Sequence, residues 1–123
     1  MTARAMELAG VSAWRGGRRV LRDVTATLPA GRVTAVIGAA DSGKSTLLRV
    51  LDRLLELEPG SRWQGAVRLG EEPLRTLDAA VVRRRVGLVF DRPTAFPGSV
   101  LENMEFGLQL AGVPRAERPP RIE

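Results

Sequence analysis

Apolar positions along the chain fall into short runs whose spacing changes character several times. Met6-Glu7-Leu8-Ala9-Gly10-Val11-Ser12 alternates well enough for a strand. Val20 to Leu28, apolar at Val20, Leu21, Val24 and Leu28, predicts a second strand, and Pro29-Ala30-Gly31 a turn. Arg32-Val33-Thr34-Ala35-Val36-Ile37 is apolar and β-branched without strict alternation, as a parallel strand buried on both faces should be. From Thr46 to Leu55 the period changes. Residues 47, 48, 50, 51, 54 and 55 are apolar, which predicts an amphipathic helix that Glu58-Pro59-Gly60-Ser61 breaks. Gln64 to Leu69 reads as a strand and Gly70-Glu71-Glu72-Pro73 as a turn. Asp78 caps a short helix through Arg83, and Val86-Gly87-Leu88-Val89-Phe90 is a further strand. Arg92 to Gly98 is a loop punctuated by Pro and Gly. Ser99-Val100-Leu101-Glu102 is a capping box, opening a helix that carries Val100, Leu101, Met104 and Leu108. Gly112, Pro114 and Arg118-Pro119-Pro120 end regular structure, and no internal repeat is visible.

The junction between the third strand and the first helix carries the chemistry. Gly38-Ala39-Ala40-Asp41-Ser42-Gly43-Lys44-Ser45 is a complete G-x-x-x-x-G-K-[ST] phosphate loop. Its four fixed positions would match by chance in roughly one chain in a hundred of this length, and strand–loop–helix context lowers that further. Gly38 and Gly43 tolerate backbone angles that let successive N–H groups turn inward around an anion. The helix N-terminus adds unpaired donors and a positive dipole end. Lys44 is the only lysine in the chain; every other basic residue is arginine. A lysine has been kept where a compact ammonium on a flexible stem must reach along β- and γ-phosphates. Ser45 would place its hydroxyl on Mg²⁺, and Thr46 could donate to an α-phosphate oxygen.

Composition bounds the rest. At 123 residues one domain, or part of one, is expected. The chain is 44% hydrophobic but only 4% aromatic, so Leu and Val must fill the core. Cysteine and histidine are both absent, which excludes disulfides, thiolate metal sites and histidine catalysis within the chain. The formal charge is +5. Apart from Arg18-Arg19 and Arg83-Arg84-Arg85 the arginines are dispersed and lack aromatic interleaving, so the excess reads as solvated surface and no nucleic-acid partner is expected. No apolar stretch approaches the ~20 residues of a membrane span, and Met1 to Gly10 lacks the apolar core of a signal peptide. Cytoplasmic residence is the expectation.

From Leu8 to about Gly112 the pattern resembles the nucleotide-binding subunit of an ATP-binding cassette (ABC) transporter. Val33 through Arg53 looks like the family's Walker A strand, loop and helix, and Leu21-Arg22-Asp23-Val24 like the strand leading to it. Arg83 through Phe90 resembles the strand that ends at the Q-loop. Phe90-Asp91-Arg92-Pro93, Phe96-Pro97 and Ser99-Val100-Leu101-Glu102-Asn103 look most like phosphate-import ATPases, and Pro59-Gly60 followed by Gln64-Gly65-Ala66-Val67 fits the same subfamily.

The resemblance implies an α/β fold: a P-loop NTPase core with an antiparallel β subdomain, truncated at the start of a helical subdomain. The expected division is 1–98 for the ATP-binding core and 99–123 for the helical start. It implies ATP and Mg²⁺ as cofactors, with residues 38 to 46 holding phosphate. Implied partners are integral-membrane permease subunits, a second ATP-binding subunit arranged head to tail and, indirectly, a solute-binding protein. The place is the inner face of the plasma membrane. Asp91 stands where the family usually has a glutamine that touches Mg²⁺ and the attacking water, so it is expected to ligate metal and to alter coupling. At the adenine platform, strict spacing from Asp23 puts Arg15 where the family has an aromatic, with Trp14 one residue earlier; either can lie over a base. Trp14 has an alternative as a core or strand-edge aromatic. The family's signature motif, Walker B strand, catalytic glutamate and switch histidine are absent from this sequence, so the chain alone is expected to bind but not hydrolyse ATP. The competing readings are a non-catalytic nucleotide-binding regulatory module, another P-loop protein such as a nucleotide kinase or small GTPase, and a basic nucleic-acid binder.

Overall fold

The computed structural model describes residues 4–122. The chain divides into two compact units, Met1–Leu88 and Val89–Glu123.

The first unit is built on an antiparallel sheet. Strands β1 (Met6–Arg15), β2 (Arg18–Leu28), β3 (Arg62–Leu69) and β4 (Glu72–Pro73) lie in the order β2-β1-β3-β4. β1 is central, with Met6 opposite both Leu28 and Leu69. Its buried side changes parity along the strand: Met6 and Leu8 face the core first, then Val11 and Ala13. A register irregularity between Leu8 and Val11 causes the change, because one extra residue moves every later side chain to the other face. Gly10 (φ +60°) sits in that irregularity, and Gly65 (φ +97°) passes so close that a Cβ on it would meet the Gly10 carbonyl oxygen at 2.4 Å. β2 makes a similar switch around Asp23 (φ 49°), whose N–H donates to the Ser12 hydroxyl at 3.0 Å. This is why its apolar positions, Leu21, Val24 and Leu28, do not alternate evenly.

Helix α1 (Lys44–Leu51) buries Thr46, Val50 and Leu51 against this sheet. It ends four residues before the periodicity predicts. Asp52 turns its carboxylate onto the Leu54 N–H at 2.9 Å, a local bond that competes with the helix. Arg53 then takes a left-handed conformation (φ 60°). The displaced Leu55 is not lost to the core: it is fully buried within a 3₁₀ turn, Leu55–Leu57. Leu74 and Val82 close the core from the far side, Val82 from helix α2 (Ala79–Arg85), which the Asp78 carboxylate caps by accepting from Ala80 and Val81 N–H groups. The arginines of its last turn lie at the negative end of the helix dipole, as the sequence suggests.

Glu56 ties this corner together. Its carboxylate accepts from Arg53 Nε at 3.0 Å and Nη2 at 2.8 Å, and from Trp63 Nε1 at 3.0 Å. The Arg53 bonds, aided by Trp63, hold the Glu56 carboxyl below its ordinary value of 4.5. Because the folded state lowers this pKa, the contribution is present above about pH 4.5 and lost as pH falls through the folded value. Urea unfolding of wild type and Glu56→Gln across this acid range checks it. The wild type should lose an increment on acidification that the variant lacks, and parallel acid limbs would contradict the pairing.

Two predicted strands do not form as such. Neither 32–37 nor 86–90 joins a ladder among the described residues, and Val33, Ile37 and Val89 are 100%, 92% and 93% exposed. A buried parallel strand needs hydrogen-bonding neighbours on its edges. The four strands described pair antiparallel among themselves, and neither segment adds to the β2 or the β4 edge of that sheet.

In the second unit, helix α3 (Val100–Leu110) opens with the predicted capping box: Ser99 Oγ accepts from the Glu102 N–H, and the Glu102 carboxylate accepts from the Ser99 N–H at 2.6 Å. Those bonds to Ser99 hold the Glu102 carboxyl below its ordinary value. Phe96 packs on Phe106 at 4.5 Å between ring centroids, and Asn103 bonds both backbone groups of Phe96. Short 3₁₀ turns at Arg115–Glu117 and Pro119–Arg121 follow where the sequence predicts no regular structure. No helix of the described residues is long and apolar enough to cross a membrane.

Candidate functional site

The loop from Gly38 to Gly43 turns directly into α1. Ser42 N–H donates to the Ala39 carbonyl at 3.3 Å, and Leu47 N–H reaches back to Gly43 at 2.9 Å to close the first helical turn. Asp41 (φ 58°) and Gly43 (φ 99°) both take left-handed conformations. A Cβ on Gly43 would lie 2.7 Å from Leu21 Cδ2, so the glycine is required by both its angle and its neighbour on β2. At Gly38 the angle is ordinary, but a Cβ would approach Ser42 Oγ at 2.8 Å.

Lys44 is the first residue of α1, and its side chain folds back over the loop. Its Nζ donates to the Gly38 carbonyl at 2.9 Å and the Ala39 carbonyl at 2.6 Å, with Ser42 Oγ at 3.5 Å. The ammonium thus closes over the carbonyls of its own loop. Ser45 is exposed and Thr46 is buried beneath it, while Ala39, Ala40, Asp41 and Ser42 are all exposed.

An open cleft of about 690 Å³ runs along this loop, with Asp41 to Thr46 on one wall and residues of β1 and β2 on the other. The predicted phosphate-holding residues from 41 to 46 are thus brought together, with Gly38, Ala39 and Ala40 continuing the loop behind. Arg15 lines the cleft and pairs with Glu58 at 2.8 Å. Trp14 is half-buried and outside the lining; the Arg62 guanidinium stacks on its ring at 3.8 Å and that of Arg19 stands at 5.4 Å. Asp91 belongs to the second unit, exposed, with its carboxylate accepting the N–H of Arg92 at 2.9 Å. Sequence reasoning passed over Arg18, Arg19 and Arg22, which line the cleft. Alternation along β2 does not reveal them, because the register shifts between Arg19 and Leu21 and the neighbours Arg18 and Arg19 both reach the cleft. Reading the Arg18-Arg19 pair as solvated surface concealed them.

The chemistry of this donor set fits a phosphate chain: a cation and a helix N-terminus lie together in the lining of one cleft. It fits a magnesium ion less completely. The Ser45 hydroxyl is the hard oxygen donor that follows Lys44, and no group of three or more acidic, histidine or cysteine side chains is placed to hold a metal among the described residues.

A glycine loop turning into a helix whose first residue is a lysine folded over the loop's carbonyls defines a P-loop nucleotide-binding protein. The chain belongs to the ABC transporter family, whose profile matches residues 21–121. It is 43% identical over 111 residues to the phosphate import ATP-binding protein PstB 1 of Yersinia pestis bv. Antiqua, a match covering 89% of this chain and 41% of that one. The protein of the same name from Vibrio parahaemolyticus is 42% identical over 111 residues, with the same coverage. The chain thus spans about two fifths of the length of these relatives. Among solved structures, a bacterial Atm1-family ABC exporter with ATP bound superposes with a TM-score of 0.73 at 21% identity, covering 85% of this chain and 18% of that one. That likeness establishes the α/β fold of the ABC nucleotide-binding domain, including its antiparallel β part.

Proposed function

We propose that this chain is the ATP-binding part of an ABC importer subunit that moves inorganic phosphate, and that it binds ATP through residues 38 to 46. The Lys44 ammonium over the Gly38 and Ala39 carbonyls is the observation that carries the binding reading. The identity to phosphate import ATP-binding proteins supports the solute. Residues 1–98 form the ATP-binding core in this reading, and 99–123 the start of a helical subdomain. The partners are integral-membrane permease subunits, a second ATP-binding subunit placed head to tail and, indirectly, a solute-binding protein. The subunit sits peripherally on the cytoplasmic face of the plasma membrane.

In this reading Lys44 neutralises charge on the β- and γ-phosphates, and the backbone N–H groups of the loop orient the chain of phosphates. Ser45, with Asp91 as a further oxygen ligand, would hold the magnesium ion, which when bound neutralises the phosphates and polarises the bond to be broken. Trp14 or Arg15 would support the base only on leaving its present partner, Trp14 on displacement of Arg62 and Arg15 on release from Glu58. Thr46 donates toward the α-phosphate.

A fluorescent ATP analogue titrated into the 123-residue chain, with and without Mg²⁺, tests the proposal. Saturable binding without Lys44-dependent hydrolysis is expected. Failure to bind in a folded chain would sink it, and turnover by the pure chain would refute the bind-only part. Asp91 has its own test. A carboxylate brings negative charge near the γ-phosphate and lacks an amide donor, so Asp91→Gln should raise turnover in an assembled transporter; lowered turnover would mean a different role. Asp91 also favours a second reading, a non-catalytic cassette that holds nucleotide and regulates a partner.

A further inference from the structure

The cleft beside the phosphate loop carries more positive charge than the loop itself requires. Gly43 is pressed against β2: a Cβ there would also lie 3.2 Å from Val20 Cγ1 and 3.3 Å from the Val20 carbonyl oxygen. That contact fixes the strand beside the loop and brings Arg18 and Arg22, two residues either side of Val20, into the cleft's lining with Lys44. Arg15 and Arg19 line it as well, while Asp41 is the one acid among the lining residues.

These arginines are not equivalent. Arg15 is held by Glu58, and Arg19 donates to Ser12 Oγ at 2.8 Å. Arg18 and Arg22 are exposed and take part in none of the ion pairs among the described residues. Unopposed guanidinium groups along one wall raise the local potential for anions, and each offers a planar fork that matches two phosphate oxygens. The groups that could serve a base are engaged elsewhere, Trp14 beneath Arg62 and Arg15 with Glu58.

We infer that this cleft selects its ligand by the polyphosphate chain rather than by the base, with Arg18 and Arg22 holding phosphate in addition to Lys44. ATP, GTP and inorganic tripolyphosphate are then held comparably. The inference rests on the nucleotide-binding reading of the same cleft.

Competition against a fluorescent ATP analogue on the 123-residue chain, with ATP, GTP and inorganic tripolyphosphate as competitors, tests it. All three should bind within roughly threefold of one another, and Arg18→Gln/Arg22→Gln should weaken all three by about tenfold, as expected for two partly screened charged contacts. Strong ATP binding with tripolyphosphate weaker by more than about thirtyfold would overturn the inference and leave the nucleotide reading intact. An unchanged double variant with an intact circular dichroism spectrum would overturn the arginine assignment. Binding of none of the three would sink both readings together. Should the double variant fail to fold, the ratio of ATP to tripolyphosphate affinity on the unaltered chain decides alone.

Discussion

Lys44→Ala should weaken binding of an ATP analogue by about 3 kcal/mol, or roughly a hundredfold, while leaving the fold unchanged. The ammonium's partners are the carbonyls of an exposed loop, Gly38 and Ala39, so its removal leaves no buried group unpaired. The loss is instead felt by the ligand, which forfeits a cation that no other lysine can replace. Titration of the variant beside the wild type, with matching circular dichroism spectra, reads the effect. Affinity within threefold of wild type would mean that Lys44 does not reach the phosphates and that the arginine wall carries the binding.

Gly65→Ala should be the most damaging single methyl in the sheet. Gly65 holds φ at +97°, where an L side chain is strained, and the added carbon would sit 2.4 Å from the Gly10 carbonyl oxygen and 2.9 Å from that of Ala9. Both obstacles are backbone, so no side chain can swing away. β1 and β3 must separate where the bulge sets their register, which moves Val11 and Ala13 out of the core they fill. A cost of about 3 kcal/mol is expected, combining conformational strain with a local clash. Thermal or urea unfolding should show it. By contrast Gly87→Ala, at a position with open space around its missing Cβ, should be silent. Equal stability of the two variants would mean that the bulge is not the pinning point.

Much of this was legible from spacing and local chemistry. The turn from Gly43 into α1, the Asp78 cap and the Ser99–Glu102 box lie where the sequence places them, because each depends on residues within a few positions of one another. Strands β1, β2 and β3 were found for the same reason, although β1 runs three residues further than its alternation shows. What spacing could not reveal were a local competitor for the helix and events set by distant neighbours. Leu54 and Leu55 continue a helical period, yet Asp52 and Arg53 end the helix, and Leu55 reaches the core from a different turn. The basic wall was missed because Arg18 and Arg22 become neighbours of Lys44 only when Gly43 docks on β2. Segments 32–37 and 86–90 have the composition of strands, but composition does not supply a partner for their backbone.

Those two segments carry a consequence for handling the protein. Val33, Ile37 and Val89 display branched apolar side chains to water on backbone whose N–H and C=O groups have joined no ladder. Such stretches are adhesive toward one another, since a second molecule can supply both the hydrogen bonds and the dry face. Solutions of this chain should therefore cloud with concentration rather than with temperature alone, and high ionic strength, by screening mutual repulsion between molecules of charge +5, should hasten the clouding. The arginines that line the cleft thus double as part of the molecule's colloidal protection.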